Sequence, residues 1–171
     1  MKAPPAQPRT MISRPTRRML LAAIALGMST GAPFASAQTA KKLPYWVAIS
    51  KDEARMRVGP SMDYPANWIY RRKNLPLKVI ETYPNWRRVE DPDGTRGWMH
   101  VRLLKDDRTA IIVGETAALR ADPAEGSRAL YRAEPGVVGR VSGCENGWCT
   151  FDVNGQRGYV RTQNLWGAIG E

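Results

Sequence analysis

Hydrophobic positions after residue 40 fall in short runs, without the sustained 3.6-residue spacing that a long helix requires. The runs 45–49, 77–82 and 86–90 contain the aromatic and β-branched residues that strands favour. Asp93-Gly94 and Asn154-Gly155 are typical of tight hairpins, because both central residues of a type I′ turn have positive φ. The pattern predicts an all-β protein built as small barrels or a sandwich.

The same pattern occurs twice along the chain. Residues 54–57 are followed by Tyr70, Trp86 and the string 93–99, while residues 117–120 are followed by Tyr131, Trp148 and the string 154–160. The offset changes only from 63 residues at Ala54 and Ala117 to 61 at Gly97 and Gly158. A repeat of this kind predicts two tandem domains, which we assign to residues 38–104 and 105–171.

Three strings of the first copy identify a family resemblance. Residues 56–61 (Met-Arg-Val-Gly-Pro-Ser), 85–89 (Asn-Trp-Arg-Arg-Val) and 93–100 (Asp-Gly-Thr-Arg-Gly-Trp-Met-His) resemble the motifs of the bacterial SH3-like (SH3b) domain, in their order and spacing. The second copy departs from them, since Ala121-Asp122-Pro123 replaces Gly-Pro-Ser and Tyr159 replaces tryptophan. The chain is similar to exported tandem SH3-like proteins of the alphaproteobacterial type. The resemblance implies barrels of five or six strands and a binding role in the cell envelope.

The N-terminus has the layout of a secretory signal. Residues 1–18 are basic and contain no acid, residues 19–28 are apolar, and Ala35-Ser36-Ala37 is a small-x-small site. We expect cleavage after Ala37 and a periplasmic product, with the Sec route favoured over the twin-arginine route that Arg17-Arg18 also suggests. The alternative is an uncleaved anchor, but ten apolar residues are too few to span a bilayer. We therefore expect no transmembrane span in the mature chain.

Cys144 and Cys149 flank the turn signal Asn146-Gly147. A two-residue type I′ turn there would place the cysteines opposite each other as a non-hydrogen-bonded pair, with Cα atoms about 4.5 Å apart. That separation lies at the short end of disulfide geometry, and export would provide oxidising conditions. The prediction is a Cys144–Cys149 disulfide. The alternatives are two free thiols, or a zinc site whose further ligands the sequence does not reveal.

Nothing in the sequence indicates an enzyme. His100 is the only histidine, so a Ser–His or Cys–His mechanism would have to use it, and it follows a predicted strand as a polar surface residue. There is no nucleophile-elbow, phosphate-loop or zinc-protease motif, and although sixteen acidic residues leave room for a carboxylate pair, no spacing marks one. We predict no catalytic residue, no metal and no cofactor.

Positive charge is concentrated in the first copy. The formal net charge of the chain is +10, and residues 41–104 contain 13 basic and 7 acidic residues against 8 and 9 in residues 105–171. Basic residues beside aromatic ones favour an anionic or acidic ligand. The candidate ligand-binding residues are Tyr70, Arg71, Arg72 and Trp86, and we expect Trp98 to lie in the core. Nucleic acid is excluded as a partner, because an exported protein rarely meets it.

Three functional classes remain at this stage. The first is a non-catalytic binding module of the cell envelope, with peptidoglycan or an envelope protein as its partner. The second is an assembly or stability factor that acts only by protein–protein contacts, and the third is an accessory to a cell-wall hydrolase or a cryptic enzyme. The sequence does not identify the ligand or the oligomeric state.

Overall fold

The computed structural model describes residues 41–170, which form two antiparallel sheets of seven strands each. The first sheet has the strand order β3-β2-β6-β5-β4-β1-β7, and a three-residue 3-10 turn, Val101–Leu103, precedes its last strand. Its strands are β1 (Tyr45–Ile49), β2 (Ala54–Arg57), β3 (Ala66–Tyr70), β4 (Pro76–Tyr83), β5 (Trp86–Glu90), β6 (Arg96–His100) and β7 (Leu104–Lys105).

The second sheet repeats this topology with every strand number raised by seven, in the order β10-β9-β13-β12-β11-β8-β14. A second 3-10 turn, Thr162–Asn164, precedes its last strand. Its strands are β8 (Thr109–Ile112), β9 (Ala117–Arg120), β10 (Ala129–Ala133), β11 (Val138–Glu145), β12 (Trp148–Val153), β13 (Gln156–Arg161) and β14 (Leu165–Gly167). The predicted all-β architecture of two tandem barrels is confirmed.

The expectations for the signal peptide and for a membrane span concern the N-terminus of the chain. The signal peptide at residues 1–37 falls outside the described residues. Within residues 41–170, no helical segment has the length and apolarity of a membrane crossing.

The barrels have seven strands rather than five or six, because a short strand follows each 3-10 turn and pairs with the first strand of its own sheet.

The alignment of the two copies needs one correction. Tyr70 lies opposite Ala54, and the equivalent pair in the second barrel is Ala133 opposite Ala117. Tyr131 therefore corresponds to Trp68, not to Tyr70 as the sequence comparison suggested. Strands β3 and β10 contain equivalent register shifts, so the offset of 63 residues that relates Ala54 to Ala117 also relates Tyr70 to Ala133. The match of two tyrosines at a different offset was a coincidence of residue type.

Two of the three predicted tight turns have the expected geometry. Asn146 and Gly147 have φ values of 51° and 79°, and Asn154 and Gly155 have 54° and 91°, as a type I′ turn requires. The prediction for Asp93-Gly94 was wrong, because only Gly94 has positive φ. That connection is a longer loop between β5 and β6, in which Asp91 accepts hydrogen bonds from the backbone N–H groups of Asp93 and Thr95.

Each barrel has its own apolar core. The residues at the centre of the first core include Ile49, Met56, Leu77, Val79, Val89 and Met99, and those of the second include Ile112, Leu119, Val141, Cys149, Phe151 and Val160.

Gly97 allows β6 to lie close to β2, since a Cβ there would stand 2.6 Å from Met56 Cγ and 2.9 Å from the carbonyl oxygen of Arg57.

The barrels also pack against each other. Ile111 lies opposite both Val138 and Trp166, so the three side chains share the outer face of the second sheet. All three pack against the core of the first barrel. Trp166 meets Trp46 edge-to-face, with ring centroids 4.7 Å apart. The short link between β7 and β8 thus joins two domains that share an apolar interface.

Candidate binding surface

Tyr70 is not available to a ligand, contrary to the expectation of an aromatic platform. Its side chain is only 6% exposed, and its hydroxyl donates a 2.8 Å hydrogen bond to Asp91 Oδ2. Burial, this hydrogen bond and the negative charge of Asp91 all raise the pKa of Tyr70. The tyrosine therefore joins the end of β3 to the loop after β5, and its role is structural.

Trp86 is also covered, with 7% of its surface exposed. It lies between Tyr83 and His100, which are its directly opposed partners on β4 and β6. His100 meets its indole edge-to-face, with ring centroids 5.2 Å apart. His100 Nδ1 also accepts the backbone N–H of Arg102 at the start of the 3-10 turn. The sole histidine is thus a capping and packing residue.

The two candidate arginines differ in their surroundings. Arg71 is highly exposed, with its Nε 3.6 Å from Glu53 Oε2. Arg72 reaches across the domain interface and donates to the backbone carbonyl of Gly136 in the second barrel. Arg71, whose ion pair with Glu53 is exposed to solvent, remains a candidate for ligand binding, whereas Arg72 is bonded to the backbone of the second barrel.

The outer face of the first sheet presents a different set of aromatic side chains. Arg88, Trp98 and Arg57 lie directly opposite one another on β5, β6 and β2, so they share this face. Tyr83 meets Trp98 edge-to-face at 6.4 Å between centroids, and its side chain is 55% exposed. Trp98 is half-buried on this outer face, so the expectation that it lies in the core was wrong.

Tyr64 extends this surface beyond β2. Arg57 donates from Nη1 to the backbone carbonyl of Tyr64, which fixes the loop between β2 and β3 beside Trp98. The Tyr64 ring lies over Gly59, where an added Cβ would stand 2.6 Å from the ring carbons. We call the set Tyr64, Arg57, Trp98 and Tyr83 the aromatic row.

Exposed large apolar side chains are unevenly distributed over residues 41–170. Six belong to the first barrel and two to the second, while Leu43 precedes β1. This excess on one barrel makes the first barrel the better candidate for an interaction surface. The six in the first barrel are Val58, Met62, Tyr64, Trp68, Ile69 and Tyr83, and the two in the second are Leu130 and Tyr131.

Charge around the aromatic row is mostly positive and partly neutralised. Arg88 pairs with Glu81 at 3.2 Å on the same face. Arg55, two residues before Arg57 and therefore on the same face, lies 3.6 Å from Glu53. These ion pairs are exposed, so each contributes little to stability and both remain accessible to a competing anion.

The second barrel does not reproduce the aromatic row. Tyr159 occupies the position of Trp98, but Glu145 stands where the first barrel has Tyr83. Arg161 replaces His100 and lies over the Trp148 ring at 4.3 Å. The tryptophan is therefore covered in both copies, by an imidazole in one and a guanidinium in the other.

The predicted disulfide is present. Cys144 and Cys149 lie opposite each other on β11 and β12, with an S–S distance of 1.98 Å and a Cα separation of 4.0 Å. Cys149 is fully buried in the second core, so the bond joins the hairpin to that core. Among the described residues, no group of three or more His, Cys, Asp or Glu side chains is placed to hold a metal ion.

The sequence shows the aromatic residues that are exposed on the first barrel, but it does not distinguish them from the aromatic residues that are buried. Trp68 and Tyr83 stood close to the selected residues in the sequence, and adjacency gave no reason to prefer one aromatic to another. Trp98 was assigned to the core, and Tyr64 was not considered. A strand's alternation shows which residues share a face, but exposure also depends on which strand lies at the sheet edge and on what covers each side chain.

The two halves of the chain match one family. The sequence model described as "Bacterial SH3 domain" matches residues 50–106 and again residues 113–167, which together exceed half of the chain. Among curated proteins, none matches the chain significantly.

Several solved structures resemble this one weakly. NlpC1 from Trichomonas vaginalis has 11% sequence identity and a TM-score of 0.34 over 76% of this chain and 48% of its own. An NlpC/P60 family protein from Bacillus cereus has 13% identity and a TM-score of 0.33 over 71% of this chain and 56% of its own. The chain thus spans about half the length of the structures it matches.

Proposed function

Because the chain belongs to the bacterial SH3 domain family, we propose that it is a non-catalytic binding module of the cell envelope, located in the periplasm. Its partner is peptidoglycan or an envelope protein. The observation that supports this most is the aromatic row, which exposes tyrosine and tryptophan surface beside Arg57 in the more basic barrel.

The chemistry of the aromatic row suits this role. Tyr, Trp and Arg are the residues that most often dominate the binding energy of an interface, since they provide large rigid contact areas with polar edges. Tyr83 and Trp98 support each other edge-to-face, and Arg57 holds Tyr64 through its backbone, so little ordering remains to be done on binding. Arg71 extends the positive charge to a neighbouring part of this barrel.

A test on purified sacculi examines the row directly. We expect Tyr83→Ala to weaken retention of the chain on sacculi about five- to thirtyfold, the effect of losing one interface residue worth 1–2 kcal/mol. Tyr131→Ala is the matched control, because it removes an exposed tyrosine from the second barrel. Equal retention of Tyr83→Ala and the unaltered chain would remove the aromatic row as the sacculus-binding surface.

Salt dependence tests the cationic part of the proposal. If the ligand is anionic, Arg71→Ala should weaken retention and flatten its dependence on ionic strength. Arg71 is the better choice than Arg72, whose loss would also disturb the contact with Gly136. A salt dependence unchanged by Arg71→Ala would exclude this side chain from the site.

One observation favours the second candidate function, an assembly factor acting by protein contacts alone. Strand β3 lies at the edge of the first sheet and exposes Trp68 on one face and Ile69 on the other. An edge strand with apolar side chains on both faces suits pairing with an extended segment of a partner protein. If Trp68→Ala no longer binds an envelope protein that the unaltered chain binds, while its retention on sacculi is unchanged, this function is favoured over the first.

A further inference from the structure

Four strands lie at the edges of the two sheets of residues 41–170, and three of them are protected against pairing with another chain. Strand β7 is two residues long and contains Lys105, and β14 is three residues long, with Trp166 packed against the first barrel. Strand β10 contains the charged residue Arg132. Short length, coverage by another domain and charge are means by which natural proteins prevent edge strands from pairing.

Strand β3, the fourth edge, lacks these protections. Its five residues, Ala66–Tyr70, include no charged residue and no proline, and the first four are exposed. Ile69 lies opposite Arg55 in the first barrel, and in the equivalent pair of the second barrel Arg132 lies opposite Ala118. The charge is thus on the edge strand in the second barrel and on the neighbouring strand in the first.

Both faces of β3 present apolar surface at this edge. Trp68 is 52% exposed and Ile69 is 45% exposed, and consecutive residues of a strand point to opposite faces. Among the described strands only β2 pairs with β3, so the other side of β3 offers backbone N–H and C=O groups to a further strand. An added strand would use these groups and cover part of both side chains.

Positive charge at the end of β3 defines the chemistry of the partner. Arg71 follows the strand directly, and the side chains of Arg71 and Arg55 are both highly exposed. Both lie 3.6 Å from the carboxylate of Glu53, which is longer than the roughly 2.7–2.9 Å of a charge-assisted hydrogen bond. One carboxylate between two guanidinium groups leaves a net positive charge, and Lys73 adds to it two residues further along the chain. This charge attracts acidic groups and repels the same edge of a second copy.

We propose that β3 binds an extended acidic segment of a partner protein as an additional strand of the first sheet. The segment pairs antiparallel, as every neighbouring pair of strands in this sheet does, and its apolar side chains cover Trp68 and Ile69. Its acidic residues lie at its N-terminal end, beside Arg71 and Arg55. This proposal rests on the second function given above, an assembly factor, and names the chemistry of its partner. The aromatic row forms no part of this surface.

The test is a titration of the ¹⁵N-labelled full chain, followed by NMR, with the peptide acetyl-Asp-Glu-Thr-Val-Val-Val-Thr-amide. We expect saturable shifts of the β3 amides, and binding about three- to tenfold tighter than that of the matched peptide with Asn-Gln in place of Asp-Glu, the effect of one or two exposed ion pairs. No saturable shift at millimolar peptide, or no preference for the acidic peptide, would overturn the proposal. If the same amides shift with protein concentration alone, the edge binds a second copy and the proposal is overturned as well.

Methylation of the peptide backbone distinguishes strand pairing from a side-chain contact. Only alternate residues of a strand bond to the neighbour on one side. One peptide therefore has an N-methyl group on the middle valine, and another has N-methyl groups on the two outer valines. We expect one of them to bind about as tightly as the unmethylated peptide and the other at least tenfold more weakly. Equal affinity of the two would exclude strand pairing and overturn the proposal.

Variants separate the apolar from the charged contribution. Trp68→Ala should weaken both peptides at least fivefold and leave the preference for the acidic one intact, because it removes apolar surface alone. Arg71→Gln should reduce that preference, whereas Arg128→Gln, at an exposed arginine of the second barrel, should change neither affinity. A preference unchanged by Arg71→Gln would overturn the proposal.

The aromatic row and the edge can fail separately. Tyr83→Ala should bind the acidic peptide as the unaltered chain does, whatever its retention on sacculi. If Trp68→Ala loses an envelope protein while the unaltered chain shows no preference for the acidic peptide, the assembly function is supported and the acidic chemistry of the partner is wrong.

Discussion

Tyr70 and Asp91 are joined by a 2.8 Å hydrogen bond that connects the edge strand of the first sheet to the loop between β5 and β6. Asp91 is 4% exposed and accepts two further bonds from the backbone of its own loop. The carboxylate thus orders its own loop and holds it to the end of β3, 21 residues earlier in the sequence. The second barrel has Ala133 in the position of Tyr70, so this connection belongs to the first barrel alone.

We expect Tyr70→Phe to lower the free energy of unfolding by about 1–3 kcal/mol, because it leaves a buried carboxylate oxygen without its donor. Thermal or urea unfolding at neutral pH measures this. Tyr131→Phe, which removes an exposed hydroxyl from the second barrel, should change stability by less than about 0.5 kcal/mol. A Tyr70→Phe chain as stable as the unaltered one would contradict the role assigned to this bond.

The raised pKa of Tyr70 predicts that its contribution to the stability of the fold depends on pH in the alkaline range. The unfolded chain loses the hydroxyl proton of Tyr70 near pH 10, whereas the folded chain retains it. The stability that Tyr70 contributes is therefore complete below pH 10 and decreases as the pH rises above it. Tyr70→Phe has no such proton to lose. The stability difference between the two proteins should therefore shrink above pH 10, as urea unfolding across the pH range would show; a constant difference would contradict it.

The disulfide should contribute modestly to stability. A ring of this length is worth about 2 kcal/mol in the loop-entropy model. Reductant should lower the melting temperature of the unaltered chain and leave that of the double variant Cys144→Ala, Cys149→Ala unchanged. Intact-mass measurement of the oxidised chain should show two hydrogens fewer than the reduced one, and ready alkylation of both thiols without reductant would refute the bond.

Gly97→Ala should destabilise the first barrel by about 1–3 kcal/mol, because the new methyl group would collide with Met56 and with the backbone of β2. Gly143→Ala is the matched control: it also lies in a strand, and a Cβ there meets nothing within 4 Å. Urea unfolding of the two variants gives the comparison. Equal stability of both would mean that the strands do not approach as closely as described.

The Trp46–Trp166 contact should couple the barrels. A double-mutant cycle with Trp46→Ala and Trp166→Ala measures the interaction between the rings, apart from what each loses in burial. Edge-to-face aromatic pairs contribute about 0.5–1.5 kcal/mol, and we expect a coupling free energy in that range. Additive effects of the two substitutions would show that the rings do not interact.

The sequence predicted the fold well because its signals are local. Asn-Gly pairs specify their own backbone angles, and a repeated string requires a repeated topology, whatever the rest of the chain does. The disulfide followed from the same turn, since the geometry of Asn146-Gly147 places Cys144 opposite Cys149.

The binding surface was less predictable because exposure is a property of the assembled barrel. Tyr70 and Trp68 share one face of β3 and are only two residues apart, yet one is buried and the other is half exposed. Trp86 lies on the outer face and is still covered, because His100 packs against it. Asp91 gave no signal in the sequence, where it was one of several acids beside a predicted turn.

The interface formed by Ile111, Val138 and Trp166 has a consequence for the history of the chain. A duplicated unit begins as two interchangeable copies, but here the outer face of one copy has become part of the core of the other. The copies are thereby ordered, because Ala48, Pro76 and Lys105 hold the corresponding positions in the first unit. Exchanging the units would replace the Trp166 contact with a lysine. A chain with its two units exchanged should therefore be less stable than the chain in its natural order.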